Sequence, residues 1–292
     1  MKPVKFDYYA PTSVPQALDT LAELGYDGKV LAGGQSLIAA MNFRMARPAA
    51  LVDLNGVPEL SYIKSKQNGD LTIGTMTRVN TVEHDPEVAK RFPLIPEVAK
   101  FIAHPAIRRR GTFGGAIAHA DPAGQLPSIA VVMNAKVLIR GKDKERWADA
   151  PDLIIGPFMT TIEPEELLAE VVLPANPPHT GSSYMQVSRQ NGGYAQAAVA
   201  SIVTMDGDKV KSLRMVLMSV GEVPILSQKA VEILIGQKPT EDMLKAVAEA
   251  CATSEIDPAT DLHATADYRR TLIRALVVRS LNQSIARAKQ GG

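Results

Sequence analysis

A glycine-rich segment near the middle of the chain has the composition of a ligand-binding loop. Segment 111–128, GTFGGAIAHADPAGQLPS, contains four glycines, two prolines and a single acidic residue, Asp121. Glycine permits positive φ and lets the backbone approach a bulky group closely. Thr112, His119 and Gln125 add short polar side chains that can form hydrogen bonds. The composition predicts a segment that is neither an ordinary helix nor a strand and that holds an anionic, planar or phosphorylated ligand.

A shorter segment upstream, LAGGQSL at 31–37, has the pattern of a strand, a tight turn and a helix. An apolar run ends at Gly33 and Gly34, and a helical pattern begins at Ser36. Backbone N–H groups at such a turn lack partners and can bind phosphate oxygens. Glycine turns join many strands to helices without binding anything, but two such segments in one chain favour a ligand. Neither segment matches GxGxxG or GxxxxGK[ST], which argues against a Rossmann dinucleotide site and a P-loop.

Composition limits the classes of function. The chain has 292 residues, 46% of them hydrophobic and 22% charged, which is typical of a globular protein of about two domains. Its 32 basic and 31 acidic side chains give a net charge of +1, so overall charge favours neither nucleic acid nor an anionic membrane as a partner. The sequence lacks a signal-like N-terminus and an apolar run long enough to span a bilayer, which predicts a cytoplasmic protein.

Metal ligands are scarce in the sequence. The single cysteine, Cys251, excludes an internal disulfide and cannot supply the thiolates of an iron–sulfur cluster. The five histidines are scattered and form no HExxH pattern. We therefore expect no metal held by this chain, and we expect Cys251 to be a small buried residue on a helix.

Periodicity and turn residues predict an α+β chain in three parts. Residues 1–55 form a helix, then a strand, the glycine turn, a short helix and a second strand. Residues 56–176 combine strands with helices between 79 and 103, interrupted at Pro86, Pro93 and Pro96. Prolines at 174, 177 and 178 mark a linker. Residues 177–292 contain three strands, at 181–188, 195–205 and 210–221, followed by helices at 227–234, 241–251 and 267–288.

Several stretches, taken in order, resemble one known family. AGGQSL, TFGGAIAHADP and SRQNGGYAQAAVA, with FDYYAPTS near the start and YRRTLIRAL near the end, are similar to the FAD-binding medium subunit of the molybdenum hydroxylases. This is the carbon monoxide dehydrogenase medium-chain type, which also occurs within xanthine dehydrogenase. The resemblance implies a vanillyl-alcohol-oxidase-type FAD-binding domain of two α+β subdomains, 1–55 and 56–176, and a smaller α+β C-terminal domain, 177–292.

The resemblance also implies a set of residues around a noncovalently bound FAD. The pyrophosphate is expected along the first segment, with apolar contacts from two positions and an aromatic residue beside the isoalloxazine ring. No catalytic side chain is expected, because the flavin carries the redox chemistry. The residues expected around the pyrophosphate are those of the first segment and three of the second: Leu31, Ala32, Gly33, Gly34, Gln35, Ser36, Leu37, Thr112, Gly114 and Gly115. The remaining expected neighbours of FAD are His119, Asp121, Gln125, Gln186, the apolar Ile102 and Leu168, and Tyr194.

Four of these positions leave alternatives open. Gln125 stands where many relatives have an acid and Gln186 where many have a lysine, so the flavin potential and the electron acceptor are left open. His119 either hydrogen-bonds the cofactor or satisfies loop amides. Tyr194 either stacks on the ring or packs in the protein. The arginines at 108–110 are expected to be solvated or locally paired.

The function implied is electron transfer within a larger complex. By resemblance, the partners are a small subunit with two two-iron two-sulfur clusters and a large subunit with a molybdenum pterin cofactor. The assembly is a heterotrimer, expected to form a dimer of heterotrimers, and the substrate is oxidised in another chain. Two alternatives remain: a self-sufficient FAD oxidoreductase of the same superfamily, and a non-catalytic scaffold that keeps the fold.

Overall fold

The structure, a computed structural model, describes residues 1–291 and has a mixed α and β fold, in agreement with the predicted α+β class. Three larger sheets follow one another along the chain, with three, five and four strands. Within residues 1–291 no helix is both long enough and apolar enough to cross a membrane.

The N-terminal part is a three-stranded parallel sheet that carries the first glycine-rich segment. Its elements are β1 (Asp7–Tyr9), α1 (Val14–Leu24), β2 (Gly28–Leu31), α2 (Leu37–Asn42) and β3 (Ala50–Asp53). Strand β3 lies between β1 and β2 and runs parallel to both. Helix α1 begins after Ser13, whose hydroxyl accepts a hydrogen bond from the N–H of Gln16, and ends at Gly25 with φ of 51°. The predicted strand, glycine turn, helix and strand are therefore present.

The middle part is a five-stranded antiparallel sheet covered by short helices. Its strands have the order β4-β5-β10-β6-β7, and a small separate pair, β8 and β9, lies between β7 and β10 in sequence. The elements are β4 (Ile63–Ser65), β5 (Leu71–Gly74), α3 (Val79–His84), α4 (Pro86–Arg91), α5 (Leu94–Ala99), α6 (Pro105–Arg110), α7 (Phe113–His119), α8 (Gln125–Val132), β6 (Lys136–Arg140), β7 (Glu145–Asp149), α9 (Ala150–Leu153), β8 (Ile154–Gly156), β9 (Met159–Thr160) and β10 (Leu167–Leu173).

The C-terminal part is a four-stranded antiparallel sheet between two layers of helices. Its elements are β11 (Thr180–Ser188), β12 (Ala195–Asp206), β13 (Lys209–Met218), β14 (Ile225–Leu226), α10 (Lys229–Glu232), α11 (Glu241–Ala250) and α12 (Ala266–Lys289). Alternate residues of β12 point to opposite faces. Ala198 and Ala200 join the core of the middle part, whereas Ala197 and Val199 pack in the core formed with α11 and α12. The sheet is therefore buried on both faces.

Several predicted elements differ in the structure. Segment 111–128 was predicted to be neither helix nor strand, and this is wrong, because α7 and α8 cover most of it. Pro96 does not interrupt a helix. It lies in the first turn of α5, where the missing N–H of proline breaks no hydrogen bond within the helix. The helix predicted at 227–234 is reduced to the four residues of α10.

Arg108 and Cys251 have the environments expected for them. Arg108 is 9% exposed and is paired with Glu83, at 2.7 Å between its Nε and a carboxylate oxygen. Cys251 is fully buried, and burial raises the pKa of its thiol to about 12. Both residues are structural.

Candidate functional site

The first glycine-rich segment presents a row of backbone N–H groups with no partner in the chain. Within residues 1–291, the N–H groups of 33–37 donate to no backbone or side-chain acceptor, and the first hydrogen bond of the turn runs from the N–H of Ile38 to the Gly34 carbonyl at 3.2 Å. Gly34 has φ of 72°, a conformation that favours glycine. Unpaired N–H groups on one short turn are suited to an anionic ligand.

The second segment uses its glycines differently. The N–H of Gly115 donates to the Thr112 hydroxyl at 3.2 Å, which caps α7, and the N–H of Gly114 donates to the Thr75 carbonyl at 3.0 Å. A Cβ on Gly114 would lie 2.0 Å from the Thr75 hydroxyl oxygen. Gly114 therefore allows α7 to pack against the end of β5, and its amide is not available to a ligand.

The two glycine-rich segments meet in the structure. A Cβ on Gly33 would lie 2.4 Å from the Arg110 carbonyl oxygen and 2.7 Å from the Gly111 Cα. A Cβ on Gly115 would lie 3.1 Å from the Ala32 Cβ. Glycine at 33 thus permits direct contact between two backbones. The sequence placed these segments about eighty residues apart, and the fold makes them one surface.

His119, at the C-terminal end of α7, is half-buried beside an aromatic ring. Its imidazole lies 5.1 Å from the Phe158 ring, measured between centroids. Burial lowers the pKa of His119, and the nearby Asp121 carboxylate partly opposes that shift. The imidazole makes no hydrogen bond within residues 1–291, so it does not satisfy loop amides.

Phe158 is a neighbour that sequence reasoning missed. It has φ of 58°, its side chain is 58% exposed, and its N–H donates to the Ala120 carbonyl at 3.0 Å. The Gly-Pro-Phe turn between β8 and β9 gave a turn signal, but nothing in it indicated contact with α7.

Tyr194 and Asp121 come together although they are 73 positions apart. Partial desolvation raises the pKa of the Tyr194 phenol, and the adjacent Asp121 carboxylate raises it further. Tyr194 is 70% exposed, which excludes the packed alternative for this side chain. Asp121 also accepts a hydrogen bond from the N–H of Ala123 at 2.8 Å, which fixes its turn.

The loop that carries Tyr194 lies on the middle part of the chain. Gly192 has φ of 73°, and a Cβ there would lie 2.5 Å from the Ala103 carbonyl oxygen, next to Ile102. A cavity of about 1080 Å³ opens beside this loop. It is bordered by Pro122 and Ala123 on one side and by residues of the C-terminal part on the other, including Arg269.

Gln125 and Gln186 form a neutral pair inside the protein. The Gln125 amide donates to the Gln186 side-chain oxygen at 3.3 Å, and the Tyr184 hydroxyl donates to the same oxygen at 2.6 Å. Gln125 is 8% exposed. The fold therefore places Gln125 and Gln186 in contact, as two uncharged amides.

The predicted residues fall into three groups and one outlier. Residues 31–37 meet Gly115 and the 110–111 backbone, Asp121 lies between His119 and Tyr194, and Gln125 pairs with Gln186. Ile102 lies beside the Tyr194 loop. Leu168, by contrast, is 4% exposed and belongs to the hydrophobic core of the middle part.

The donor set suits a dinucleotide with an uncharged planar ring. Five unpaired amides at 33–37 fit a diphosphate without a cationic clamp. The exposed Tyr194 and the cavity beside it offer space for a ring system. The residues present therefore fit FAD.

Two family models match nearly the whole chain. "FAD binding domain in molybdopterin dehydrogenase" matches residues 4–176, and "CO dehydrogenase flavoprotein C-terminal domain" matches residues 182–284. The chain belongs to the FAD-binding medium subunits of the molybdenum hydroxylases. The resemblance noted in the sequence is thereby confirmed, and the protein is a flavoprotein subunit of an oxidoreductase.

Relatives in this family match over their full length. The 6-hydroxypseudooxynicotine dehydrogenase complex subunit alpha of Paenarthrobacter nicotinovorans is 39% identical, over 99% of this chain and 97% of that protein. The carbon monoxide dehydrogenase medium chain of Hydrogenophaga pseudoflava is 36% identical, over 98% and 99%.

Chains of two solved oxidoreductase structures superpose on the whole fold. Carbon monoxide dehydrogenase from Hydrogenophaga pseudoflava gives a TM-score of 0.95 at 36% identity, covering 98% of this chain and 99% of that one. Quinoline 2-oxidoreductase from Pseudomonas putida 86 gives 0.93 at 32% identity, covering 99% of each chain.

Proposed function

We propose that this subunit binds one FAD noncovalently and relays electrons from iron–sulfur clusters of a partner subunit to an external acceptor. The observation that carries the proposal is the row of unpaired N–H groups at 33–37, pressed against the 110–115 backbone. Gly33 is buried and Gly34 and Leu37 are half-buried. N–H groups without partners are rare at such positions, because each costs free energy unless a ligand or water satisfies it. A diphosphate supplies several acceptor oxygens to such a row.

In this proposal the chain holds and orients the flavin. Residues 31–37 bind the diphosphate, with Thr112, Gly114 and Gly115 shaping the second wall. Tyr194, Asp121 and His119 border the isoalloxazine, and the Gln125–Gln186 pair adds no formal charge of its own there. Bound FAD supplies the redox chemistry, and the side chains set its position and surroundings. Ile102 and Leu168 are proposed as apolar neighbours.

The partners follow from what this chain lacks and from its relatives. With one cysteine it cannot hold the clusters itself. Two relatives are named as a subunit of a complex and as a medium chain. We propose a heterotrimer with a small iron–sulfur subunit and a large molybdenum pterin subunit, forming a dimer of heterotrimers in the cytoplasm. The proposed subdomains are 1–55 and 56–176, followed by the C-terminal domain, 177–292.

A visible absorption spectrum of the purified chain tests the proposal. The expected result is a two-banded flavin spectrum, with FAD identified by mass in the supernatant after acid precipitation. A chain that stays colourless after reconstitution with excess FAD would contradict flavin binding. A flavin that small organic substrates reduce in the isolated chain would contradict the relay role.

A further inference from the structure

Arg78 links the two glycine-rich segments through its side chain. Its guanidinium donates from Nη1 to the Arg110 carbonyl and from Nη2 to the Asn55 side-chain oxygen, the latter at 2.6 Å. The Arg110 oxygen is the atom nearest to the missing Cβ of Gly33. One arm of Arg78 therefore holds the carbonyl at the point where the two segments touch.

Asn55 extends the link to the other segment. Its side-chain nitrogen donates to the Ala32 carbonyl at 2.9 Å, and its backbone N–H donates to Asp53 at 2.9 Å, which fixes the residue at the end of β3. The hydrogen bonds run from the Arg110 carbonyl through Arg78 and Asn55 to the Ala32 carbonyl. Each end of this series of hydrogen bonds is a backbone carbonyl oxygen beside the unpaired amides at 33–37.

The backbone around Arg78 supports the same contact. The N–H of Val79 donates to the Gly111 carbonyl at 3.0 Å, and the N–H of Phe113 donates to the Thr77 carbonyl at 2.9 Å. Arg78 thus pairs with Thr112 as an isolated antiparallel bridge. Its side chain reaches from that bridge to Asn55, and Asn55 in turn reaches the Ala32 carbonyl of the first segment.

We propose that Arg78, with Asn55, is a positioning residue for the flavin site: it sets the first segment against the second so that the amides at 33–37 face the diphosphate together. The inference rests on the proposed FAD binding. Both terminal nitrogens of the guanidinium are used within the protein, so Arg78 acts through the backbone and not as a phosphate clamp. A planar fork with two donors suits two acceptors in fixed directions, and lysine cannot replace it fully.

The test compares FAD dissociation constants of reconstituted variants by flavin fluorescence. Arg78→Gln is expected to weaken FAD binding about tenfold or more, because charged hydrogen bonds to two carbonyl-type oxygens are lost. Arg78→Lys is expected to recover part of the loss. Asn55→Ala, at an exposed position, is expected to weaken binding in the same direction while leaving the fold intact. Combined with Arg78→Gln it should add little, because the link is already broken.

Arg91 offers a matched control. It also donates to a side chain, Glu87 at 3.0 Å, and to a backbone carbonyl, Gly69 at 3.2 Å, and neither partner belongs to the two glycine-rich segments. Arg91→Gln is expected to lower the apo-protein melting temperature about as much as Arg78→Gln and to leave the FAD dissociation constant within about twofold.

Three outcomes overturn the inference. FAD affinity in Arg78→Gln within about twofold of the wild type would do so and would leave the proposed function standing. Equal losses of FAD affinity in Arg78→Gln and Arg91→Gln would show that reduced protein stability lowers the affinity, and not a change in the position of the first segment. A wild-type chain with no affinity for FAD would overturn both proposals, and is distinguished by the wild-type titration alone.

Discussion

At the scale of single residues, Gly33 is a position of the candidate site where a larger side chain cannot be accommodated without moving the backbone. The atoms that a Cβ would meet belong to the Arg110 and Gly111 backbone, which cannot rotate away as a side chain can. Two other glycines of the site are needed for other reasons. Gly34 adopts a positive φ, and Gly114 lets helix α7 pack closely against Thr75. The three glycines therefore meet three different physical requirements.

Gly33→Ala is expected to separate the two segments. Overpacking of this kind costs about 1–3 kcal/mol of unfolding free energy and should reduce FAD affinity at least tenfold. Urea unfolding and flavin titration measure the two effects. Gly156→Ala is the control, because its Cβ would meet only Met159 atoms at 3.7 Å. Normal FAD affinity in Gly33→Ala would contradict the close contact.

His119 is expected to make stability depend on pH in one direction. Burial lowers its pKa in the folded chain, below the ordinary value of 6.5. As the pH falls through about 6.5, the histidine is protonated in the unfolded chain before it is protonated in the folded chain. The free energy of unfolding therefore decreases as the pH decreases. One proton limits this slope to about 1.4 kcal/mol per pH unit.

The pH dependence is measured by urea unfolding at about pH 7 and about pH 5. His119→Gln removes the titrating group and should lose less stability over that interval than the wild type. An equal loss in both proteins would show that other groups govern the acid response.

At the scale of elements, α7 shows where sequence reasoning failed and why. Two adjacent glycines argue against a helix on propensity. The helix forms because Thr112 caps its first turn and because Gly114 must pack on Thr75, a contact across about forty residues that no local pattern reveals. Tertiary packing overrides propensity here.

Long periodic elements were predictable from the sequence. The hairpin of β12 and β13 and helices α11 and α12 match their predicted positions within one to a few residues. The meeting of the two glycine-rich segments follows from the family resemblance, but the link through Arg78 and Asn55 does not, because these side chains are 23 positions apart and carry no motif.

The cap of α7 can be compared with the cap of α12. Thr112 and Thr265 both accept a hydrogen bond from the N–H three residues later, at 3.2 Å in each case. Replacing either by alanine should cost about 1 kcal/mol of unfolding free energy. Only Thr112→Ala is expected to weaken FAD binding as well, and Thr112→Ser should restore both properties. If both alanine variants bind FAD like the wild type, the Thr112 cap at the start of α7 is not required for FAD binding.

At the scale of the whole molecule, the C-terminal sheet joins the middle part through a shared core and through Arg214. From β13, the guanidinium donates to the carbonyls of Val132 and Val131, at 2.8 and 2.9 Å, and so closes the C-terminal end of α8. Burial lowers the pKa of this arginine, and the two carbonyls satisfy its charge. The parts are bound by both apolar and polar contacts.

Arg214→Ala leaves the Val132 carbonyl without a partner, whereas the Val131 carbonyl keeps its hydrogen bond from the N–H of Asn134 at 3.1 Å. The substitution is expected to cost about 1–3 kcal/mol of unfolding free energy. Arg274→Ala is the control, since Arg274 pairs with Glu249 on the surface and its loss should change stability little. Urea unfolding measures both. Equal, small effects would mean that the apolar core alone joins the two parts.

The amides at 33–37 have a consequence for how the cofactor responds to salt. Peptide dipoles carry no net charge, so attraction between them and a diphosphate is short-ranged and is screened far less than attraction to exposed arginine side chains. FAD affinity should therefore change little between about 0.05 M and about 0.5 M salt. Flavin titration of the purified chain at the two salt concentrations measures this, and a steep loss of affinity with added salt would contradict binding through backbone amides.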